Sequence, residues 1–319
     1  MLKLADIKEA RERIGSYVLR TPLLRQSALD ELLGCEVYLK HEGLQVSGSF
    51  KIRGATNKIL TLTPEELGRG VVSASSGNHA MGVAYAARRA GTQATIVMPE
   101  NANPVKLAGV RGYGATVMQV GTLSSQREDA VRQFAEEKGM IEVHPYADPY
   151  VAAGQGTIGL EVLEDLPDMD VIVVPIGGGG LISGVSTAIK ETSSKIRVVG
   201  AEPAACPRYA LSRKQGKSIS MDSVGETIAD GTRTNRADPK NFEMIEARVD
   251  DFCAVEDEWI IKAMKAVVSN AKIVAEPSSV MGVAAALSGA LSGLSGKKVC
   301  FLLSGGNNDL KQLAKIIGA

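Results

Sequence analysis

The sequence lacks the features that mark several broad classes of protein. Its 319 residues carry 36 lysines and arginines against 36 aspartates and glutamates, so the formal net charge is zero. A chain without net charge has no long-range attraction to nucleic acid or to an anionic membrane, and we expect neither partner. Residues 1–6 alternate charged and apolar side chains without a long apolar stretch. The start of the chain therefore predicts neither a signal peptide nor a membrane span.

Cysteine and histidine are also scarce. The cysteines lie far apart and form no C-x-x-C pair, which argues against a metal ribbon or a disulfide framework. They are Cys35, Cys206, Cys253 and Cys300. The three histidines, at positions 41, 79 and 144, do not stand at metal-ligand spacing from one another. We therefore expect a cytoplasmic protein in a reducing compartment.

The sequence does contain short aliphatic and β-branched runs that alternate with helix-patterned stretches, in a chain that is 45% hydrophobic and 23% charged. The strand-like runs are residues 71–74, 94–98, 116–120, 171–176, 197–201 and 299–303. The helix-like stretches are residues 79–90, 125–138, 181–191, 258–271 and 280–290. Such alternation predicts an α/β fold with parallel, doubly wound sheets and helices on both faces.

No low-complexity linker or fixed-period repeat divides the chain, so the domain organisation must come from topology. We expect a small domain at residues 54–145. A discontinuous large domain would combine residues 1–53 and 146–319. Residues 200–250 have poor periodicity and many Gly, Pro, Ser and charged residues, which predicts an irregular surface excursion.

A lysine at position 51 stands among glycines, small residues and an aromatic ring, in the segment GSFKIRGA at residues 48–55. An amine held against apolar surface loses its proton more easily than one in water. A neutral amine can then attack an aldehyde to form a Schiff base. Phe50 could shield such a linkage from water. The alternative interpretation is an ordinary surface lysine, the fate of most lysines.

Residues 75–79, SSGNH, follow one strand-like run and begin a helix-like stretch. Backbone N–H groups at a helix N-terminus favour a carboxylate. The hydroxyls of Ser75 and Ser76 and the amide of Asn78 add donors for a substrate carboxylate or for a phenolic oxygen. Ordinary helix capping is the alternative. We interpret His79 as structural.

Four consecutive glycines, Gly177, Gly178, Gly179 and Gly180, lie between a strand-like run and a helix-like stretch. Their unhindered amides suit a phosphate. A dinucleotide-binding fold is the main alternative, because Glu202 lies about 20 residues further on. However, no window there has the G-x-G-x-x-G spacing, and such a fold gives no reason for the lysine segment.

Ser304 ends another strand-like run and opens the turn SGGN at residues 304–307. Ligands bind at the carboxyl ends of parallel strands. The alternative interpretation of this segment is a simple glycine turn. If the ligand contains a pyridine ring, a serine hydroxyl that faces the ring nitrogen would leave this nitrogen largely unprotonated. The ring would then be a weaker electron sink, suited to prompt loss of a β-leaving group. The aldehyde implied by the lysine is pyridoxal phosphate, and the other three segments supply the contacts that such a cofactor needs.

These segments resemble the fold type II (tryptophan synthase β-like) pyridoxal phosphate enzymes, specifically the serine/threonine dehydratase and serine racemase group. The similarity extends over nearly the whole chain. It includes four further segments at residues 21–23, 154–157, 226–231 and 276–277. The resemblance implies a two-domain enzyme that acts on a small amino acid, and a homodimer, since dimers are common in the group.

The resemblance also implies a role for each site residue. Lys51 would be the Schiff-base and proton-transfer lysine, with Phe50 against the cofactor ring. Asn78 would meet the phenolic oxygen, the glycines at 177–180 the phosphate, and Ser304 the pyridine nitrogen. The residues implied to bind substrate are Ser75, Ser76, Gly77, Asn78 and Arg127.

Two positions bear on which activity is implied. Ser76 stands where many threonine dehydratases carry alanine and where serine racemases carry a serine that works on the opposite cofactor face. Arg127 matches an arginine near the substrate pocket of racemase-like enzymes, and an exposed residue in a first helical turn is its alternative interpretation. The expected activity is dehydration of a β-hydroxy amino acid such as L-threonine or L-serine to a 2-oxo acid and ammonia. Serine racemase and hydroxyaspartate dehydratase or racemase remain alternatives.

The resemblance leaves a metal site in doubt. Racemase-like relatives bind a divalent cation through a glutamate that matches Glu202 and an aspartate at the position of Arg208. An arginine cannot ligate a cation. We therefore expect no metal, with Glu202 as a ligand only if the family's cation site is kept. Our hypothesis is that Arg208 replaces the ion by pairing with Glu202.

Overall fold

The structure is a computed structural model that describes residues 1–102, 104–122 and 124–318. Its strands are β1 (Leu23–Arg25), β2 (Glu36–His41), β3 (Val71–Ala74), β4 (Ala94–Met98), β5 (Thr116–Gln119), β6 (Ile141–Glu142), β7 (Val171–Pro175), β8 (Arg197–Pro203), β9 (Asp251–Val255) and β10 (Lys298–Leu303). Its helices are α1 (Leu4–Ile14), α2 (Asp30–Leu33), α3 (Lys51–Ile59), α4 (Pro64–Arg69), α5 (Asn78–Ala90), α6 (Pro104–Gly112), α7 (Ser124–Lys138), α8 (Pro149–Asp165), α9 (Gly180–Thr192), α10 (Arg208–Gln215), α11 (Pro239–Arg248), α12 (Asp257–Ala266), α13 (Met281–Leu287) and α14 (Leu310–Gly318). Among the described residues, no helix combines the length and apolar character that crossing a lipid bilayer requires.

The strands form two sheets. A six-stranded sheet has the order β1-β2-β10-β7-β8-β9, and a four-stranded sheet has the order β5-β4-β3-β6. Parallel pairing runs through both sheets, which confirms the predicted α/β fold, but β1 pairs with β2 in the antiparallel direction. An antiparallel edge strand on a parallel sheet is common, because an edge needs no crossover helix on its open side.

Alternate residues of a central strand pack on opposite faces of the six-stranded sheet. In β7, Val171 and Val173 belong to one buried apolar cluster, whereas Ile172 and Val174 belong to another. Helices cover both faces, so every side chain of the strand is apolar. This double burial explains why β7 appears in the sequence as a continuous aliphatic run.

The expectation of an irregular excursion at residues 200–250 is partly wrong. The segment contains the end of β8 and the helices α10 and α11. Helix α11 follows Asp238, whose side chain accepts a hydrogen bond from the backbone N–H of Asn241, and Pro239 occupies its first turn. Helix α10 buries the polar residues Arg208 and Ser212, so its buried face carries no hydrophobic periodicity.

We propose that residues 54–145 form the small domain and that residues 1–53 and 146–319 form the large one. All strands of the four-stranded sheet fall within residues 71–142, which supports this division. That sheet also has its own apolar cluster, which includes Ile59 on α3 and Val83 on α5.

A buried network of charges anchors the start of α3. The Arg53 guanidinium donates to both oxygens of Glu42 at 2.8 Å and to the two oxygens of Glu161 at 2.6 and 2.9 Å. Lys40 Nζ donates to Glu161 Oε2 at 2.6 Å, and Thr21 Oγ1 donates to Glu42. Two cations thus balance two anions, and no side chain among these four charged groups is more than 8% exposed.

Arg53→Met is expected to destabilise the protein by about 3–5 kcal/mol, because it leaves two carboxylates buried with a single lysine. Urea denaturation followed by circular dichroism measures this change. Arg69→Met is the matched control, because Arg69 pairs with Glu65 at the surface of α4. This substitution should change the free energy of unfolding by less than about 1 kcal/mol. Equal effects of the two substitutions would contradict an anchoring role for Arg53.

Candidate active site

A cleft of about 710 Å³ gathers the segments that the sequence singled out. It is lined by Phe50, Lys51, Ser75, Ser76, Gly77, Asn78, Arg127, Gly177, Gly178, Gly179, Gly180 and Ser304, among other residues. Three of the lining segments, residues 75–78, 177–180 and 304, follow β3, β7 and β10 at the carboxyl ends of parallel strands. Every residue predicted to bind cofactor or substrate therefore lies on one surface, and both sheets contribute to it.

Lys51 is the first residue of α3, and its Nζ donates to the carbonyl of Pro145 at 2.6 Å. Burial lowers the pKa of this amine to about 8. Nζ also lies 5.3 Å from the centroid of the Phe50 ring. A turn at Gly48, where φ is +72°, precedes the helix, and the Phe50 N–H bonds to the carbonyl of Ser304. This bond ties the lysine to the end of β10.

The four glycines form a tight turn between β7 and α9. At Gly178 a Cβ atom would lie 2.2 Å from the ring of Tyr146, and Gly179 has a φ of +92°. The Gly178 carbonyl accepts hydrogen bonds from the Tyr209 hydroxyl at 2.9 Å and from Asn241 Nδ2 at 2.8 Å. Neither donor lines the cleft, so this carbonyl points to the buried side. The amides at the start of α9 are then available to an anion in the cleft.

Asn78 begins α5, and its side-chain amide is held in one orientation. Its Nδ2 donates to both oxygens of Glu276 at 2.9 and 3.0 Å, and its Oδ1 accepts from Asn307 Nδ2 at 2.9 Å. The Asn307 backbone N–H also bonds to Glu276, at 2.8 Å. One N–H of the Asn78 side chain is shared between the two carboxylate oxygens. The second N–H is therefore available to a ligand oxygen.

Glu276 is a site residue to which the sequence reasoning gave no role. It lines the cleft, and burial raises its pKa to about 7, although the hydrogen bond from Asn78 opposes this shift. One signal could have found it. Glu276 is the single charged residue between Lys272 and Lys297. A lone glutamate in an otherwise uncharged stretch indicates a buried carboxylate that is paired with other groups.

Ser304 is 8% exposed and its Oγ lies 3.2 Å from Ser279 Oγ. Ser279 was also missed. Its hydroxyl donates to the carbonyl of Gly305 and accepts the Gly305 N–H, both at 2.7 Å. Because the Ser279 proton is engaged there, the Ser304 hydroxyl keeps its own proton for Ser279 or for a ligand atom in the cleft.

The predicted substrate side lies at the start of α5 and α7. Gly77 precedes α5 and its N–H lies 3.4 Å from Ser75 Oγ. Arg127 lies in the first turn of α7, is half-buried, lines the cleft and donates to the carbonyl of Thr122 at 3.2 Å. Burial lowers the pKa of this guanidinium. His79 is buried with Nε2 2.9 Å from the Val143 carbonyl, in keeping with a structural role.

The cation site implied by the resemblance does not fit this chain. Arg208 is fully buried, with its Nη1 3.8 Å from Glu202 Oε1, and a guanidinium has no lone pair for a metal. Within the described part of the chain, no three His, Cys, Asp or Glu side chains form a group that could hold a metal ion.

A nucleophilic amine of lowered pKa, an anion-binding glycine turn, a fixed amide and a serine hydroxyl in one cleft fit pyridoxal phosphate. With the parallel sheets, they define a fold type II pyridoxal phosphate enzyme. The family of pyridoxal-phosphate dependent enzymes matches residues 14–305, and this chain belongs to that family.

Several relatives are similar over nearly the whole chain. An L-threonine ammonia-lyase of Thermotoga maritima is 45% identical over 317 residues, covering 99% of this chain and 78% of that protein. A catabolic L-threonine dehydratase of Staphylococcus aureus is 40% identical over 320 residues, covering 99% and 92%. The structure of maize serine racemase has a TM-score of 0.95 at 40% identity, covering 98% of this chain and 96% of that one.

The lowered pKa of Lys51 predicts how fast apoenzyme takes up pyridoxal phosphate at each pH. Only the neutral amine reacts, so the rate constant should rise with a midpoint near pH 8. Dividing this rate constant by the one for Nα-acetyl-lysine, whose side-chain amine is free, removes the titration of the cofactor itself. Between pH 7 and 9.5 this ratio should fall by roughly 30-fold, because the ordinary lysine becomes neutral only near pH 10.4. A ratio that stays constant in stopped-flow measurements would contradict the shift.

Proposed function

We propose that this chain is a pyridoxal phosphate-dependent ammonia-lyase. It would convert a β-hydroxy amino acid, such as L-threonine or L-serine, to a 2-oxo acid and ammonia. The observation that carries the proposal is the placement of Lys51, an amine of lowered pKa, in one cleft with the glycine turn and Ser304. The names of the two sequence relatives, a threonine ammonia-lyase and a threonine dehydratase, support the choice of reaction.

Each ligand group has a proposed partner in the cleft. Lys51 would carry the cofactor, Phe50 would pack beside it, and Ser304 would meet its ring nitrogen. The turn at Gly177–Gly180 would hold the phosphate. Asn78 would donate its second N–H to the phenolic oxygen, with its amide fixed by Glu276.

The substrate carboxylate would lie at the start of α5. The hydroxyls of Ser75 and Ser76 and the amides of Gly77 and Asn78 supply hydrogen-bond donors there. The Lys51 amine, freed by the substrate amine, is the base for the proton on Cα. An amine with a pKa of about 8 is matched to this task near neutral pH.

Pyridoxal phosphate bound in the cleft supplies the electron sink that weakens the bond from Cα to hydrogen. Lys51 takes that proton and can return it to the β-hydroxyl, which leaves as water when the Cβ–O bond breaks. The released enamine then hydrolyses with one water. Threonine therefore yields 2-oxobutanoate and ammonia, and serine yields pyruvate and ammonia. The neutral Ser304 hydroxyl suits this rapid elimination better than a long-lived carbanion.

A racemase is the second candidate, because Ser76 lines the cleft together with Lys51. A hydroxyl on the cofactor face opposite the lysine could return the proton to Cα with the other configuration. The likeness to maize serine racemase supports this activity. A hydroxyaspartate substrate would bring a second carboxylate, for which Arg127 is the proposed partner at the cleft.

We also propose a cytoplasmic homodimer. The four cysteines are buried free thiols, which suits a reducing compartment. Light scattering should give twice the chain mass of 33.5 kDa.

A panel of β-hydroxy amino acids, assayed for both ammonia and 2-oxo acid, tests the proposed activity. Holoenzyme should release the two products in equal amounts from L-threonine or L-serine. Lys51→Ala should reduce turnover by at least roughly 10³-fold, since no other base is proposed for the proton on Cα.

The same reactions separate the two candidates. Chiral chromatography of unreacted serine would show D-serine without loss of total amino acid if the chain is a racemase alone. Product release from hydroxyaspartate but not from threonine or serine would assign the reaction to the acidic substrate. Turnover retained in Lys51→Ala would remove the lysine from the mechanism.

A further inference from the structure

A guanidinium lies directly behind the glycine turn. Arg208 Nη2 donates to three backbone carbonyls, those of Ile176 at 3.1 Å, Gly177 at 2.5 Å and Thr232 at 3.0 Å. The Arg208 side chain is 0% exposed. Three carbonyl oxygens thus converge on one nitrogen atom, in the interior of the protein, at the junction between β7 and the turn.

A positive charge stabilises such a convergence of oxygen atoms. Carbonyl oxygens carry partial negative charge and repel one another, and clusters of them are the usual ligands of Ca²⁺ and Mg²⁺. In this protein the positive charge is the Arg208 guanidinium. A guanidinium is permanently protonated, and the two N–H groups of its Nη2 can be shared among three carbonyls.

Glu202 supplies the opposing charge. Its Oε1 lies 3.8 Å from Arg208 Nη1, and its carboxylate accepts the backbone N–H groups of Tyr209 at 3.0 and 3.1 Å and of Ala210 at 3.0 Å. Arg208 Nη1 donates to the carbonyl of Cys206 at 2.7 Å. Glu202 and Arg208 carry opposite charges, so the pair needs no further ion for neutrality.

The first two residues of α10 hold consecutive carbonyls of the turn. Arg208 takes those of Ile176 and Gly177, and the Tyr209 hydroxyl takes that of Gly178. All three carbonyls are drawn to the buried side. In a tight turn, carbonyls fixed on one side leave the N–H groups on the other, where an anion binds. Arg208 thus acts on the cleft through the backbone.

We propose that Arg208 is a positioning residue for the cofactor phosphate, a built-in cation that holds the glycine turn in its anion-binding form. Cofactor binding by this chain therefore requires no divalent cation. The inference rests on pyridoxal phosphate binding and not on the proposed substrate, so it can fail or hold independently of the ammonia-lyase activity.

Titration of apoenzyme with pyridoxal phosphate, with EDTA or with millimolar Mg²⁺ or Ca²⁺, tests the proposal by the dissociation constant. The wild-type value should be the same in all three conditions. Arg208→Ala removes the charge and leaves the oxygens and Glu202 in place, so affinity should fall roughly tenfold or more in EDTA. Mg²⁺ or Ca²⁺ should restore most of this loss by occupying the vacated oxygen-lined space.

Two further variants separate charge from packing. Arg208→Lys keeps a cation with three donors but loses the planar guanidinium, so its affinity should lie between those of wild type and Arg208→Ala, without a response to divalent ions. Arg213→Ala is the matched control on the same helix, because Arg213 pairs with Glu246 away from the turn. It should leave the dissociation constant unchanged.

Three results would overturn the proposal. The first is a wild-type affinity that falls in EDTA, or a stoichiometric divalent metal in the purified wild-type protein by elemental analysis. The second is an Arg208→Ala variant that binds as tightly as wild type. The third is a loss in Arg208→Ala that neither Mg²⁺ nor Ca²⁺ reverses, which would reduce Arg208 to a packing role. The wild-type measurements decide whether cofactor binding needs a divalent cation even where a variant does not fold, and Arg208→Lys then tests the role of the charge.

Discussion

The structure depends on holding one lysine amine in a cleft where burial makes its neutral form easier to reach than it is in water. Lys51 begins α3, and burial alone accounts for its lowered pKa. A carboxylate beside it would act in the opposite direction. Two buried carboxylates, Glu42 and Glu161, are bound by Arg53, two residues further along the same helix. The charge network therefore anchors the helix without stabilising the charged form of Lys51.

The remaining site groups are fixed by contacts between the two sheets or behind the cleft. Asn78 belongs to the helix after β3, while its partners Glu276 and Asn307 belong to the part of the chain that carries the large sheet. The glycine turn is held from behind by Arg208 and Tyr209. Asn78 and the glycine turn thus each have their direction set by residues packed against them.

The sequence predicted the parts of the molecule in which local pattern and burial agree. Strands such as β7 are buried on both faces and consist of aliphatic residues, and the motif residues follow their carboxyl ends. Strand β2 was missed because it contains Lys40, a charge that is buried only because Glu161 neutralises it. Helix α10 was missed because Arg208 lies on its buried face. Pairing between charges distant in sequence leaves no periodic signal.

The most direct test of the central claim is to locate the cofactor on the chain. Borohydride reduction of the holoenzyme, followed by digestion and mass spectrometry, should leave a pyridoxyl group on the peptide that contains Lys51. Lys106, which also lines the cleft, provides the internal comparison and should remain unmodified. A pyridoxyl group on Lys106 or another lysine, with Lys51 unmodified, would contradict the account.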